Sequence, residues 1–369
     1  YAAVAATAGI FLLVQLGSLA LVQPFMDAGY QTVEDPSDPT NSLLYVGAIL
    51  VATLVMLGAI KLDVERLIQG LIIFASVFLS FYVFSVIVPS VVTVAGVNVL
   101  AVLVALVLGV GLLVYPEWYV IDAAGIVMGA GAAGLFGISF GLLPALVLLV
   151  VLAVYDAISV YGTEHMLTLA SGVMDLRLPV VLVIPLTLSY SFLDEQGPET
   201  ISDGEGDAEG KADAEADTET DVNAEADTET ATDEEPEAEP ADGEAPEAES
   251  ADGEAPDGEE PPEDPFARDA FFIGLGDAVI PTILVASAAF FQPGGAALLD
   301  VPGIAVTLPA LGAMVGTLVG LLALMWMVMK GRAHAGLPLL NGGAIAGYLV
   351  GTLLAGVALL DALGLGPYL

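Results

Sequence analysis

Long apolar runs separated by short polar connections dominate this chain. Each run is nearly free of charge and about 20 residues long, which is the length that an α-helix needs to cross the hydrocarbon core of a bilayer. The runs lie at about 3–23, 43–60, 67–88, 91–114, 118–137, 141–162, 268–291, 303–329 and 337–360. This pattern predicts an all-α polytopic membrane protein with nine transmembrane helices.

One segment of opposite character separates the sixth run from the seventh. Residues 194–265 hold 31 of the 46 Asp and Glu residues of the chain, together with a single base, Lys211. The segment repeats with a period of ten: AEADTET occurs at 214–220 and 224–230, and ADGEAP at 241–246 and 251–256. Such a composition buries too little apolar surface to offset the entropy lost on ordering. We therefore expect a long, disordered, acidic linker, and we favour a solvating role for it over a docking role.

The predicted organisation has four parts. Residues 1–163 form an N-terminal membrane part of six helices, and residues 266–369 form a C-terminal membrane part of three helices. Residues 164–193 form an interfacial helix and a connector, and residues 194–265 form the acidic linker. The interfacial helix is predicted because apolar residues recur at helical spacing among polar ones. These residues are Met166, Leu169, Val173 and Leu176.

The few basic residues predict the orientation of the helices. The seven Lys and Arg residues are Lys61, Arg66, Arg177, Lys211, Arg268, Lys330 and Arg332. With nine spans, all seven fall in connections on one side, which the positive-inside rule makes cytoplasmic. The chain is then a multi-pass protein of the cell membrane, with its N-terminus and linker in the cytoplasm and its C-terminus outside. The acidity of the linker and the scarcity of Lys also suggest a halophilic prokaryote.

The composition excludes several kinds of chemistry. The chain has no cysteine, so disulfides, thiolate metal sites and a cysteine nucleophile are absent. GISFG (137–141) fits a GxSxG pattern, but Ser139 would need a histidine at the same depth, and His165 and His334 both lie near the predicted cytoplasmic surface. The two glycines of that stretch are better explained by helix packing. The sequence has no HExxH zinc motif, and we expect neither a metal nor a cofactor.

Two aspartates lie inside apolar runs. Asp156 occurs in VLAVYDAISVYG (151–162) and Asp277 in FFIGLGDAVIP (271–281). A carboxylate at the centre of a span costs about 2.5–3.5 kcal/mol on the insertion scale. The two runs point in opposite directions, so a rise of about 1.5 Å per residue places both carboxylates roughly 10 Å below the cytoplasmic surface. Two acids at matched depth can share a proton, and one can then activate water while the other polarises a carbonyl.

The surroundings of Asp277 favour a substrate site over simple packing. Gly274 and Gly276 remove side chains from the approach to the acid, although glycine destabilises a helix interior. Pro281 removes the N–H partner of the Asp277 backbone carbonyl, so a kink is expected. A bent backbone without side chains suits a peptide that is held extended. By contrast Asp122, in the fifth run, is expected at the cytoplasmic interface, where a structural role is favoured over a role in substrate entry.

Two other functions would use the same acids. A proton-coupled transporter or channel could use them as a relay, but paired interruptions in both halves, which would favour it, are not seen. The Gly and Pro features cluster in the last three runs. A prepilin-type peptidase would show fewer spans and no Pro-Leu-Leu region after the second acid.

The paired motifs carry a resemblance to a known family. Tyr155-Asp156 in one span and Gly274-Leu275-Gly276-Asp277 in the next, with a long loop between them, resemble the presenilin and signal peptide peptidase family of GxGD-type intramembrane aspartic proteases. The chain looks like an archaeal presenilin homologue. The third motif of that family, Pro-Ala-Leu, falls at the start of the last span, where this chain has Pro338-Leu339-Leu340. A register that uses Ala335-Gly336-Leu337 also fits.

The resemblance implies a function and its residues. It implies hydrolysis of a peptide bond within a transmembrane helix by Asp156 and Asp277, without metal or cofactor, and support of the unwound substrate around Pro338. The implied partners are single-span membrane proteins and the lipid bilayer, with no nucleic acid, and a homo-oligomer is possible. The predicted orientation matches presenilin, so we expect substrates whose N-terminus lies outside.

Glycines at intervals of four predict close packing of the last two spans. Those of the eighth span are Gly312, Gly316 and Gly320, and those of the ninth are Gly343, Gly347 and Gly351. Rows of small residues let helix backbones approach closely.

Overall fold

The computed structural model describes residues 2–61, 65–161, 181–185, 270–291, 299–301, 304–330 and 335–365. Within these ranges the long helices are α1 (Ala2–Asp27), α2 (Thr40–Lys61), α3 (Glu65–Ile87), α4 (Val99–Val114), α5 (Trp118–Ser139), α6 (Leu142–Tyr161), α7 (Leu275–Phe291), α8 (Leu308–Val328) and α9 (Gly336–Leu354), followed by the short α10 (Leu359–Ala362). The strands are β1 (Thr93–Val94), β2 (Val97–Asn98), β3 (Val181–Pro185), β4 (Ala270–Gly274), β5 (Leu299–Val301) and β6 (Ile304–Val306). The predicted interfacial helix over 163–179 and the acidic linker lie outside the described residues.

Every predicted span contains a helix. Six helices, α1, α3, α5, α6, α8 and α9, have the length and apolar composition needed to cross a membrane. The other three contribute the shorter apolar stretches Thr40–Met56, Val99–Val114 and Leu275–Phe291. The prediction of an all-α polytopic membrane protein is confirmed.

Three predicted spans begin with a strand instead of a helix. In the run at 91–114, Ala95 and Gly96 have φ values of 52° and 83°, which is the geometry of the two-residue turn that joins β1 to β2. Asn98 then caps α4, because its side chain accepts the N–H groups of Leu100 and Ala101. The runs at 268–291 and 303–329 likewise start with β4 and β6. An apolar run does not distinguish a strand from a helix, so the predicted helix starts were wrong at these places.

Helix α7 lies at the centre of the bundle. It packs against α1, α5, α6, α8 and α9. Eleven of its 17 residues are buried, although its length is short for a span. The first residues of α7 are therefore fixed by several elements at once.

Helices α8 and α9 pack backbone against backbone, as the glycine pattern predicts. A Cβ at Gly316 would overlap the carbonyl oxygen of Gly343, and a Cβ at Gly351 would lie 2.6 Å from the carbonyl oxygen of Leu308. Only glycine permits this approach at these positions. The prediction of tight packing between the last two long helices is confirmed.

The loop that follows α1 forms hydrogen bonds with the junction of α5 and α6. Thr32 donates to the Ser139 hydroxyl oxygen from its backbone N–H at 3.2 Å, and its own hydroxyl lies 2.9 Å from that oxygen. Gly141 N–H donates to the Pro36 carbonyl at 2.7 Å. Ser139 therefore has a structural partner, in agreement with the sequence argument against a serine nucleophile.

Candidate active site

Asp156 reaches the N-terminus of another helix. It lies near the end of α6, with 5% of its surface exposed. Its Oδ2 accepts the backbone N–H of Leu337, the second residue of α9, at 3.0 Å. Ala335, the residue before α9, provides no side-chain cap. The carboxylate of Asp156 therefore satisfies one of the N–H groups that the first turn of a helix leaves without an internal partner.

Two further hydrogen bonds hold α9 along α6. The Tyr161 hydroxyl oxygen accepts the N–H of Ala335 at 3.3 Å. Deeper in the bundle, Asn341 Nδ2 donates to the Leu149 carbonyl at 2.9 Å. The start of α9 is thus positioned by α6, the helix that carries Asp156.

Asp277 faces the same turn of α9. It is the third residue of α7 and is partly buried. A Cβ built at Gly336 would lie 3.3 Å from Asp277 Oδ2, so the two groups are nearly in contact. The carboxylates of Asp156 and Asp277 are also close enough to interact electrostatically. The structure therefore brings together the two aspartates predicted from the sequence, on either side of Gly336 and Leu337.

In the GLGD motif the leucine is buried and both glycines are exposed. Leu275 is buried and points towards Gly125 and Gly129 of α5, where a Cβ would lie 3.7 Å and 3.2 Å, respectively, from Leu275 Cδ1. Gly274 and Gly276 are exposed. A Cβ at Gly274 would lie 3.6 Å from Asp277 Oδ2. Leucine thus fixes the motif to the core, while glycine keeps the outer side of the carboxylate open.

The strand before this motif has a partner from a distant part of the chain. β4 runs directly into Leu275 and pairs antiparallel with β3 over five residues, from Val181↔Gly274 to Pro185↔Ala270. The predicted span at 268–291 treated β4 as helix, and the predicted connector contained β3. Asp277 therefore lies in the first turn of a helix instead of deep within one.

The remaining predicted residues have different positions. Tyr155 is half-buried beside Asp156. Pro338 is in the first turn of α9, where a missing N–H costs little. Leu340 is fully buried, and the Leu339 carbonyl packs against Gly320. Gly336 and Leu337, which belong to the alternative register, lie against the two carboxylates.

Sequence reasoning missed two contributors to this site. The Tyr161 hydroxyl acts by accepting a backbone N–H, and β3 acts through strand pairing, so no side-chain motif marks them. Among the described residues, no group of three His, Cys, Asp or Glu side chains is arranged to hold a metal ion.

Known proteins resemble this chain over most of its length. The family described as "Signal-peptide peptidase, presenilin aspartyl protease" matches residues 8–217 and 230–357. The chain belongs to this family. Two solved structures, both described as a presenilin family intramembrane aspartate protease, are similar over nearly the whole chain. The one in a C222 crystal form is 28% identical, with a TM-score of 0.56, and covers 95% of this chain and 99% of its own. The one in a P2 form is 30% identical, with a TM-score of 0.54, and covers 94% and 96%. A search of curated proteins gave no match.

Membership of this family establishes the class of activity. The protein is a multi-pass membrane protein and an intramembrane-cleaving aspartic endopeptidase, as the sequence predicted. It acts on membrane-protein substrates in the bilayer. The transporter or channel that uses the acids as a relay is not favoured.

Proposed function

We propose that Asp156 and Asp277 are the catalytic pair of this protease. The observation that carries the proposal is their meeting at one turn of α9, where Leu337 donates to Asp156 and Gly336 lies against Asp277. Two carboxylates that interact in a partly buried site are stable when they share one proton. This is the arrangement that general acid–base hydrolysis of a peptide bond requires.

We assign different roles to the two acids. Asp156 accepts an N–H at the positive end of α9, and both features stabilise a carboxylate that carries charge. Among the described residues, none donates a hydrogen bond to Asp277, and the neighbouring charge is that of Asp156. Asp156 is then the base that takes a proton from water. Asp277 is the acid that donates a hydrogen bond to the carbonyl oxygen of the scissile bond.

The substrate is an unwound stretch of a transmembrane helix. A peptide bond in a helix is shielded by side chains and by its own hydrogen bonds, so cleavage needs an extended segment. The exposed Gly274 lies at the end of β4, beside the Asp277 carboxylate, and offers backbone without a side chain. An extended substrate that follows β4 would reach the carboxylates at this glycine.

Cleavage of a single-span substrate tests the catalytic pair. The native chain, Asp156→Asn and Asp277→Asn would be compared in liposomes at high salt, with Asp361→Asn, an exposed acid, as a matched control. We expect both dyad variants to lose cleavage by about 10³-fold or more while Asp361→Asn stays active. An active dyad variant with native folding would contradict the assignment, and an inactive native chain would contradict the proposed reaction itself.

The preferred orientation of substrates is proposed from the predicted orientation of the enzyme, which is similar to that of presenilin. Lys330, just after α8, is exposed and lies a few residues before Gly336, so the dyad is at the end of the bundle that carries this basic residue. The positive-inside rule makes this end cytoplasmic. We propose that the preferred substrates are single-span proteins with the N-terminus outside. One substrate reconstituted in both orientations is expected to be cut faster in that orientation, and a preference for the opposite one would reverse the assignment.

A further inference from the structure

One buried carboxylate outside the proposed catalytic pair is that of Asp122. Asp122, in the first turns of α5, has 7% of its surface exposed. Its Oδ1 accepts the backbone N–H of Val183 at 2.8 Å. Val183 is the middle residue of β3 and is only 1% exposed. A buried N–H without this acceptor would be costly, so the bond fixes the strand to α5.

The register shows which edge of the sheet this bond occupies. Val183 is the partner of Phe272, and its N–H points to α5 instead of to β4. Because hydrogen-bonded and non-hydrogen-bonded pairs alternate in an antiparallel ladder, Leu182↔Ile273 and Ile184↔Phe271 are the pairs that join the strands. The outer edge of β3 therefore has one N–H bound to Asp122.

The same edge carries a residue that cannot donate. Pro185 has the same orientation in the strand as Val183, and it has no N–H. Of the three residues with this orientation, Val181 keeps its N–H, Val183 has its N–H bound and Pro185 has none, so the edge is a poor template for a further strand. An extended peptide is thereby directed away from β3 and towards β4.

The anchored sheet leads straight to the proposed catalytic residue. β4 ends at Gly274, and Asp277 follows three residues later. The sheet also contacts α5 by packing, because a Cβ at Gly125 would lie 3.0 Å from Leu182 Cδ2. The hydrogen bond from Val183 to Asp122 fixes the direction of β3 on α5, whereas apolar packing alone has no such directionality.

We propose that Asp122 is a positioning residue of this protease. By holding β3 on α5 it sets the register of the β3–β4 sheet and, through β4, the place at which a substrate backbone meets Asp277. This inference rests on the proposed function of Asp277. It assigns to Asp122 the choice of the bond that is cut, and no direct part in the chemistry.

The test compares the cleavage products of matched variants. Asp122→Ala and Asp122→Leu remove the acceptor, and Asp122→Asn keeps an acceptor oxygen at the same position. Ser139→Ala is the control, because it removes a buried hydrogen-bond acceptor from the other end of α5. Product masses, kcat and KM would be measured with one single-span substrate, and hydrogen exchange would be measured without substrate.

We expect Asp122→Ala and Asp122→Leu to lower kcat by about 10- to 100-fold with little change in KM, because misplacement of the reacting groups by about 1 Å has such an effect. Their products should include cuts at shifted bonds, and exchange should rise over 181–185 and 270–277. Asp122→Asn should restore the native products, with kcat within about fivefold of native. Ser139→Ala should give native products, because a general loss of stability lowers the amount of active enzyme without moving the cut.

Native product ratios and native exchange in both apolar variants would overturn the proposal. So would failure of both to fold while Asp122→Asn folds, because the acceptor would then serve folding alone. These results are distinguishable from failure of the proposed function, in which the native chain itself does not cleave. In that event the exchange data still decide whether Asp122 anchors the sheet.

Discussion

Helix α9 has two faces that are held by opposite means. Towards α8 it packs by shape alone, with glycines that bring the two backbones into contact. Towards α6 it is held by hydrogen bonds from Leu337 N–H, Ala335 N–H and the Asn341 amide. Close packing is rigid and insensitive to protonation, whereas hydrogen bonds to a carboxylate depend on its charge and can be exchanged for bonds to water. The contact of α9 with α8 is therefore rigid. Its contact with α6, on the side of the proposed reaction, can change with the protonation of Asp156.

The largest effect on cleavage should come from substitution of Asp156, whose carboxylate lies on the α6 side of α9. Asp156→Asn and Asp156→Leu should each lower cleavage by about 10³-fold or more, since neither can act as a base. Their stabilities should differ, because the Asn oxygen can still accept the N–H of Leu337. In Asp156→Leu that partly buried N–H has no protein acceptor, which costs about 1 kcal/mol. Cleavage and thermal unfolding in detergent measure the two effects, and equal stabilities would show that the bond contributes little to α9.

The next largest effect, on stability, should come from a substitution in the contact between α8 and α9. Gly343→Ala places a methyl group against the backbone carbonyl of Gly316, so the helices must separate, at a cost of about 1–3 kcal/mol. Gly342→Ala is the matched control, because nothing lies within 4 Å of a Cβ at the neighbouring position. The control should unfold at the native temperature or slightly above it. Similar melting temperatures for the two variants would mean that α8 and α9 do not rely on this contact.

A smaller effect is expected from Asn341→Ala. The variant loses the bond to the Leu149 carbonyl, but it also removes an Oδ1 that has no partner among the described residues. The two consequences oppose each other, so the free energy of unfolding should fall by only about 0.6 kcal/mol, a usual value for such bonds in membranes. Cleavage should fall only as far as the folded fraction falls. A loss of activity beyond that would place Asn341 in the site.

The smallest effect is expected from Tyr161→Phe. The bond from Ala335 N–H is long, at 3.3 Å, and the Tyr161 side chain is 65% exposed. Removal of such a contact changes stability by about 0.5 kcal/mol or less. Cleavage should stay within about threefold of native, because Asp156 still holds Leu337. A larger loss would mean that Tyr161 takes part in the reaction.

The two contacts of α9 also differ in how well they can be predicted from the sequence. The glycine contact with α8 could be predicted, because a spacing of four residues between glycines is a local property of each helix. Asp156 and Asp277 could also be predicted, since an acid in an apolar run is conspicuous. The alternative register names Leu337 and Ala335, but their hydrogen bonds could not be predicted, because they use backbone N–H groups that every residue except proline has. The β3–β4 sheet was missed for another reason: its strands are separated by residues 186–269, and AFFIG is as apolar as a helix.

The pairing of β3 with β4 also has a consequence for the chain that joins them. Pro185 and Ala270 are register partners, so the segment between them leaves and returns at points about 5 Å apart. Its ends are already closed by the sheet, and each doubling of such a loop costs only about 0.6 kcal/mol of closure entropy. The length and composition of this segment can therefore change in evolution with little effect on stability. It could also be replaced by a short loop or by an inserted domain without moving either strand.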